Sequence, residues 1–148
     1  MDNLVEKLVE IYYSIDYATH RVLTDLEARH YYSHMMRHGR VHVYLEGNEV
    51  VGFIESWRLN YEQLGRVVCW CDFSALTEDV FNGPIAYIAD IWVAPEKRGS
   101  NINKMLIEMF KESNKDAEYF VSDRVKKQGK YKYVRVYDKE NGYKLNKE

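Results

Sequence analysis

The stretch from Pro84 to Phe110 constrains the fold of this chain more than any other. Apolar and β-branched residues over 85–93 predict a buried strand, which ends at Pro95. A polar turn follows over 98–101, and apolar residues at helical spacing over 102–110 predict a helix directly after it. Free N–H groups and the positive end of the helix dipole meet at such a turn, where phosphate binds well. The stretch therefore predicts a site for a phosphorylated cofactor.

Length and composition indicate one globular domain over residues 1–148. A hydrophobic fraction of 46% and a charged fraction of 30% are ordinary for a soluble protein. No apolar run approaches the roughly 18 residues of a membrane span, so no membrane partner is expected. The first 16 residues are acidic and amphipathic and lack the basic flank of a signal peptide. We therefore expect a cytoplasmic protein.

Charge is concentrated near the end of the chain. Residues 121–148 hold seven Lys and two Arg against four acidic residues, in a chain whose formal net charge is −2. Basic residues alternate there with Tyr131 and Tyr133, a pattern that suits nucleic-acid phosphates and stacked bases. A charged, exposed strand edge explains the same pattern. Nucleic acid therefore stays open as a partner and is not the favoured one.

Two groups of residues are of types that bind metals, but neither has the pattern of a metal site. Cys69 and Cys71 point to one side of a strand, but zinc needs further ligands, and none lies at a suitable spacing. His30, His34 and His38 recur every four residues on a predicted helix, among arginines that oppose a cation. We expect reduced cysteines, a polar helix face and no metal.

The remaining patterns predict the order of elements. Helical spacing covers 2–18, and a capping box at Thr24 begins a second helix that runs through Met36. Two β-rich runs around a Gly-Asn turn predict a hairpin. Further predictions are a strand over 66–73, a loop or short helix over 74–83, a strand over 85–93, a helix over 101–114, a strand over 117–121, and a tail of strand, turn and short strand with a last helix as the alternative. The order predicts a mixed sheet with helices on both faces and a right-handed crossover over 85–121.

The motif after this strand resembles that of the GNAT acetyltransferase superfamily. That family has a strand ending in V-x-P, then a Q/R-x-x-G-x-G/A turn and a helix. Here the Val93-Ala94-Pro95 segment is followed by a turn over 98–103, and the element order is similar from about residue 4 to 121. The resemblance implies an α/β fold of three layers, with a central mixed sheet of six to seven strands flanked by helices.

The same resemblance implies that acetyl-CoA is the cosubstrate and that an amine, on a small molecule or a protein, is the acceptor. Main-chain amides of the turn would hold the pyrophosphate, and a splayed strand would pair with the pantetheine arm. The residues implied to bind the cofactor are Trp92, Val93, Arg98, Gly99, Ser100, Asn101, Ile102 and Asn103.

The turn departs from the family pattern at both glycine positions. Asn101 and Asn103 stand there. Asparagine tolerates left-handed backbone, so Asn101 is expected to keep the turn shape, and both amides can donate to phosphate. The alternative is a GNAT-like binding module without turnover, in which asparagine simply caps the helix.

Acetyl transfer to an amine needs a base, an oxyanion donor and an acid for the departing thiolate. The resemblance implies Asp90 as the base and the N–H of Val93 as the oxyanion donor. Glu55 is a second candidate for the base. Other acidic residues that could attract a cationic amine are Asp72, Glu78 and Asp79.

A tyrosine after the last crossover strand is implied as the acid. Tyr137 stands in a similar motif that is one residue longer than the family's, and Tyr133 is the fallback. The acceptor stays undetermined at this point, and the chain is expected to be a monomer or a homodimer.

Overall fold

Six strands lie in sequence order across one mixed sheet. The computed structural model describes residues 2–14, 23–66, 79–125, 132–138 and 144–146. The helices are α1 (Asp2–Ser14), α2 (Asp25–Arg37), α3 (Tyr61–Arg66) and α4 (Ile102–Ser113), with one 3₁₀ turn at Pro95–Lys97. The strands are β1 (Val41–Glu46), β2 (Glu49–Leu59), β3 (Ile85–Val93), β4 (Tyr119–Val125), β5 (Lys132–Asp138) and β6 (Lys144–Asn146).

All neighbouring strands are antiparallel except β3 and β4, which are parallel. Because parallel strands need a crossover, α4 connects them across one face of the sheet. The other face is covered by α1 and α2. The predicted fold class, a three-layer mixed α/β fold with helices on both faces of the sheet, is confirmed.

Local sequence explains where these elements begin and turn. The Thr24 side chain accepts from the Glu27 N–H, and the Glu27 carboxylate accepts from the Thr24 N–H, which completes the predicted capping box of α2. The β1–β2 hairpin turns at Gly47, whose φ of 60° is easy only for glycine and a few polar residues. The predicted helix and hairpin are thus confirmed.

Side chains alternate along the strands and form a separate core on each face. Phe53 and Trp57 of β2 lie in the core beneath α1 and α2, whereas Ile54 lies in the core beneath α4. Helix α4 contributes Ile102, Leu106 and Phe110 to its core, as the predicted apolar spacing required. Each face of the sheet is therefore sealed by helices that bury an apolar stripe.

Some boundaries differ from the predictions. The strand predicted over 66–73 is wrong at its first residue, because Arg66 ends α3, and the rest of it lies outside the described residues. Strand β4 begins two residues later than predicted and extends to Val125, where it pairs with β5. The tail forms β5 and β6, so the alternative of a last helix is wrong there. Among the described residues, no helix has both the length and the apolar character that a membrane span needs.

Candidate active site

Strands β3 and β4 separate halfway along β3. Their parallel pairing runs only from Ile85 opposite Tyr119 to Ile88 opposite Ser122. Beyond that point β3 continues to Val93 and still pairs with β2, while β4 continues to pair with β5. Among the described residues, the second half of β3 therefore has no strand on its β4 side, and a gap opens in the sheet.

Main-chain groups of Ile91 and Val93 face this gap. The Ala94 N–H donates to the Val51 carbonyl at 2.9 Å, which makes Gly52 and Val93 a non-hydrogen-bonded antiparallel pair. In such a pair the N–H and C=O groups point away from the partner strand, and the same alternation applies to Ile91. The predicted splay of β3 from its neighbour is present. It leaves the main-chain N–H and C=O groups of Ile91 and Val93 facing the gap.

A cleft lies between the separated strands and α4. It has a volume of about 420 Å³, and Ile88, Asp90 and Ser122 line it at the point where the strands part. A second cavity of about 320 Å³ is lined by Trp92, Val93 and the turn before α4. Ile91 and Asn103 line both. The two cavities therefore adjoin and form one groove from the helix N-terminus to the gap.

The turn before α4 offers free main-chain donors. The N–H groups of Gly99, Asn101, Asn103 and Lys104 have no acceptor among the described residues. Ile102 has only a long contact of 3.5 Å from its N–H to the Ser100 hydroxyl. Unsatisfied N–H groups at a helix N-terminus, aligned with the helix dipole, bind anions.

The left-handed residue of this turn is Gly99, with φ +87°, and not Asn101 as predicted. Asn101 has φ −87° and ψ 13°, which any residue can adopt. Its side chain makes no capping hydrogen bond, so the alternative of ordinary helix capping is not supported at this position. Asparagine therefore fits the turn without strain, because the glycine two residues earlier takes the unusual conformation.

Glycine is needed at a second place for space. A Cβ on Gly52 would lie 3.0 Å from Cγ2 of Ile102 and 3.1 Å from Cδ1 of Leu106. These contacts set how closely the first turn of α4 approaches β2. Gly52 thus fixes the position of the anion-binding helix end, although the sequence showed only an isolated glycine inside a strand.

Asp90 and Glu55, the two candidate bases, are brought together. They are opposite each other on β3 and β2, next to an irregularity where Ala89 has no partner in the register. Asp90 is half-buried and lines the cleft, whereas Glu55 is only 3% exposed. Cross-strand neighbours on one face of a sheet interact directly, so the pair acts as a unit.

The groups that hold Glu55 come from α2, where the hydroxyl of Tyr32 also acts on its carboxyl. The Tyr31 hydroxyl donates to Oε2 of Glu55 at 2.7 Å, and the Trp57 indole N–H donates to the Tyr31 oxygen at 3.2 Å. The other oxygen, Oε1, has no hydrogen-bond partner among the described residues. Tyr31 was not predicted as part of the site, because in the sequence it is indistinguishable from a core aromatic of α2.

Burial and the neighbouring acid keep Glu55 protonated. Burial raises the pKa of Glu55 most, and the charge of Asp90 raises it further, to about 8, although the hydroxyls of Tyr31 and Tyr32 act in the opposite direction. Burial likewise raises the pKa of Tyr31 and Tyr32 well above its usual value, with the charge of Glu55 as the next cause. Near pH 7 the pair therefore carries one negative charge.

Two other predicted site residues lie on the groove as expected. Trp92 stacks on Phe53 with ring centroids 5.8 Å apart and lines the cavity beside the turn. The Arg98 Nε donates to the Val93 carbonyl at 3.0 Å, across the mouth of the same cavity. Arg98 therefore occupies an acceptor on the free edge of β3.

The remaining predictions fall away from the groove or outside the described residues. Tyr137 pairs with Phe120 in the β4–β5 register, but the structure does not describe its side chain or that of Tyr133. Asp72 and Glu78 lie outside the described residues. Asp79 accepts from the Phe81 N–H and the Asn82 amide, which makes it a loop residue. The two cysteines and the side chains of the basic segment after residue 122 also lie outside the described residues.

Two histidines at the C-terminal end of α2 pack against an aromatic ring, and His30 stacks on His34. His38 stacks on Phe81 with centroids 4.0 Å apart, and His34 meets the same ring edge-on. No group of three possible metal ligands occurs in the part of the chain that the structure describes. His30 and His38 are exposed and His34 is half-buried, so the predicted polar helix face is present, and its C-terminal end packs on Phe81.

Comparison with known proteins identifies the family to which this architecture belongs. The family model described as "Acetyltransferase (GNAT) family" matches residues 4–142. This chain belongs to the GNAT acetyltransferase family. No curated protein is similar enough in sequence to be counted as a relative of this GNAT protein.

Solved structures share the fold at low sequence identity. The GNAT-like decarboxylase GphF in complex with isobutyryl-CoA has a TM-score of 0.66 and 14% identity, over 86% of this chain and 65% of that one. The loading GNATL domain of CurA from Lyngbya majuscula has a TM-score of 0.61 and 14% identity, over 82% and 61%. An N-acetyltransferase from Staphylococcus aureus Mu50 has a TM-score of 0.61 and 15% identity, over 86% and 71%. This GNAT chain thus spans less than two thirds of the length of the first two.

Proposed function

We propose that this GNAT protein is an N-acyltransferase that transfers an acetyl group from acetyl-CoA to an amine. One observation carries the proposal: the free edge of β3 and the free N–H groups before α4 line a single groove. A ligand with an anionic end and an extended amide-bearing arm matches both features. The acceptor's identity, the cytoplasmic location and the monomeric or dimeric state stay predictions.

The turn before α4 suits the pyrophosphate. Free N–H groups at Gly99, Asn101 and Asn103 are donors with fixed direction, and Arg98 adds a cation beside them. The asparagine amides replace the family's glycines with further donors. The residues present therefore fit an anionic group at this end of the groove.

The free edge of β3 suits the pantetheine arm. An extended chain with amide groups can add to an unpaired strand edge through main-chain hydrogen bonds. Ile91 and Val93 present such groups, and pairing at Val93 requires the Arg98 Nε to leave the carbonyl that it now contacts. Movement of the Arg98 side chain toward the pyrophosphate would free the Val93 carbonyl for the pantetheine arm and add a cation beside the pyrophosphate.

The carboxyl pair suits the removal of the amine proton. Acetyl-CoA supplies an activated thioester carbonyl. Asp90, with Glu55 behind it, accepts the proton of the acceptor's ammonium group, so that the nitrogen lone pair can form the new amide bond. The Val93 N–H, which faces the gap, is placed to stabilise negative charge on the carbonyl oxygen. Tyr137 remains the predicted donor of a proton to the sulfur as the C–S bond breaks.

Charge at the gap favours an amine over an acidic substrate. GphF is described as a decarboxylase, so the same fold also serves other chemistry on acyl-CoA. A substrate carboxylate would lie beside Asp90 and Glu55, and like charges close together repel each other. The acidic pair therefore supports N-acyl transfer as the chemistry of this chain.

The test is binding and turnover with acetyl-CoA. Calorimetric titration should give a measurable Kd, and acetyl-CoA at 100 times that Kd should stabilise the fold by about 2.7 kcal/mol. Arg98→Ala should weaken binding about tenfold. The matched control is Lys115→Ala, since Lys115 is an exposed residue just after the far end of α4, where it pairs with Glu112.

Turnover is followed by the release of free thiol from acetyl-CoA in the presence of an amine. Binding without thiol release across a broad amine panel would favour the inactive binding module. Absence of binding at millimolar acetyl-CoA would overturn the proposal altogether.

A further inference from the structure

An unpartnered oxygen marks the carboxyl pair as a binding site. Glu55 is 3% exposed, and its Oε1 has no hydrogen-bond partner among the described residues, whereas Oε2 accepts from Tyr31. Nearly all buried polar atoms in folded proteins have a partner, so an exception indicates a missing one. Once Glu55 has given up its proton, a ligand that carries N–H groups would supply the donor for Oε1.

The cleft reaches Asp90, the cross-strand neighbour of Glu55, although Glu55 itself is not among its lining residues. Asp90 lines the cleft and lies opposite Glu55 in the β2–β3 register. Ala89, which also lines the cleft, belongs to the core beneath α1 and α2, on the face that holds Glu55. A ligand that enters through the gap thus meets Asp90 first and Glu55 directly behind it.

No described basic group neutralises the buried acid. The groups that act on Glu55 are Asp90 from β3 and the phenols of Tyr31 and Tyr32 from α2. From α1, Tyr12 packs against the Tyr32 ring, and on β1 the register partner of Glu55 is the apolar Val41. The surroundings of the buried carboxyl thus favour a cation and disfavour an anion.

We propose that Glu55 and Asp90 together bind the ammonium group of the acceptor, select amines that carry no acidic group beside the nitrogen, and release a proton from Glu55 when the amine binds. This inference rests on the proposed N-acyltransferase function and adds the class of acceptor. Simple alkyl- and arylalkylamines are accepted, and α-amino acids are excluded, because their carboxylate would face the acidic pair.

Proton release follows from the ionisation of the free protein. Burial and Asp90 raise the pKa of Glu55 to about 8, so this carboxyl is mainly protonated near pH 7. An ammonium ion beside it favours the carboxylate and lowers the pKa. The proton then passes to the buffer, which makes the number of protons released per bound amine a measurable signature that is independent of turnover.

The experiment uses two matched pairs of probes: 2-phenylethylamine with phenylalanine, and pentylamine with norleucine. Each pair differs by one carboxylate. Calorimetric titrations near pH 7, in two buffers of different ionisation enthalpy, are performed on the full chain with and without acetyl-CoA. We expect each amine to bind at least tenfold more tightly than its amino acid and to release between half a proton and one proton.

Variants assign the effect to the pair. Glu55→Gln should abolish proton release, and Asp90→Asn should weaken amine binding about tenfold. Glu108→Gln, at an exposed position on α4, should match the natural protein in both respects. A thermal melt of each variant confirms that it is folded, and Asp90→Asn at its half-buried position tests the pair even if Glu55→Gln unfolds.

Failure of this inference is distinct from failure of the proposed function. Equal binding of amines and amino acids, absence of amine binding, or binding without proton release would each overturn the carboxyl-pair site, even where acetyl-CoA binds normally. Amine binding with proton release, in a chain that does not bind acetyl-CoA, would support the site and overturn the acyltransferase proposal.

Discussion

Glu55 and Asp90 are cross-strand neighbours that differ in exposure: Glu55 is only 3% exposed, whereas Asp90 is half-buried and lines the cleft. Two carboxyl groups so placed share one negative charge near pH 7, because burial and the like charge both raise the pKa of Glu55. This relationship joins the stability of the fold to the proposed chemistry and gives two predictions on pH.

The first prediction concerns stability. The pKa of Glu55 is about 8 in the folded chain against a usual 4.5, so the folded state holds more protons between those values. The free energy of unfolding therefore falls as pH rises through that window, by up to about 1.4 kcal/mol per pH unit. Glu55→Gln should flatten this dependence and be more stable than the natural chain above pH 8. Urea denaturation across this pH window measures the free energy of unfolding of both proteins. The same slope against pH in Glu55→Gln as in the natural chain would contradict the prediction.

The second prediction concerns rate. Loss of the Glu55 proton gives the carboxyl pair a second negative charge and makes it a stronger base, so kcat/KM should rise with pH, with a midpoint near 8 set by Glu55. In Glu55→Gln, Asp90 no longer shares a proton, and the rising limb should move toward acid by about one pH unit or more. The same amine is used for both proteins, so its own ionisation cancels. A rising limb that stays in place would remove Glu55 from the titrating pair.

The third prediction concerns the approach of α4 to β2. Gly52→Ala places a Cβ 3.0 Å from Ile102 and 3.1 Å from Leu106, so these side chains, or the helix end that carries them, must give way by a few tenths of an ångström. We expect a loss of about 1–3 kcal/mol in the free energy of unfolding, with weaker acetyl-CoA binding because the anion-binding turn moves. Chemical denaturation and titration measure the two effects. A loss of stability with unchanged affinity would show that the helix position does not control the turn.

The fourth prediction separates the glycine of the turn from its asparagines. Gly99→Ala should cost about 1–2 kcal/mol, because alanine resists the φ of +87°, and acetyl-CoA affinity should fall about tenfold. Asn101→Gly should change that affinity by less than about threefold, since Asn101 already has an ordinary φ of −87°. Calorimetric titration with acetyl-CoA measures the affinity of both variants. A large gain in affinity from Asn101→Gly would show that the asparagine obstructs the phosphate.

Much of the frame follows from local signals. The strand over 85–93, the Thr24–Glu27 capping box, the hairpin around Gly47 and the helix starting at Ile102 were predicted from periodicity and turn chemistry. Such signals involve neighbours within a few residues, so they act the same way in any context. The family motif and the order of elements along the chain then indicated a mixed sheet flanked by helices, and both the fold class and the family are confirmed.

The site depended on contacts between distant residues. Asp90 and Glu55 could each be named from the sequence, but only the β2–β3 register and the unpaired Ala89 place them opposite each other. Tyr31 is 24 residues away from Glu55 along the chain, and its hydrogen bond exists only because α2 packs on that face of the sheet.

What the sequence by itself determined is therefore the strand, turn and helix that offer an anion site, and the residues available for chemistry beside it. What only the tertiary structure decided is the charge state of the carboxyl pair and the shape of the turn, with Gly99 and not Asn101 left-handed. The physical reason for the charge state is that burial and the cross-strand neighbour Asp90 set the pKa of Glu55, and both depend on residues far apart in sequence.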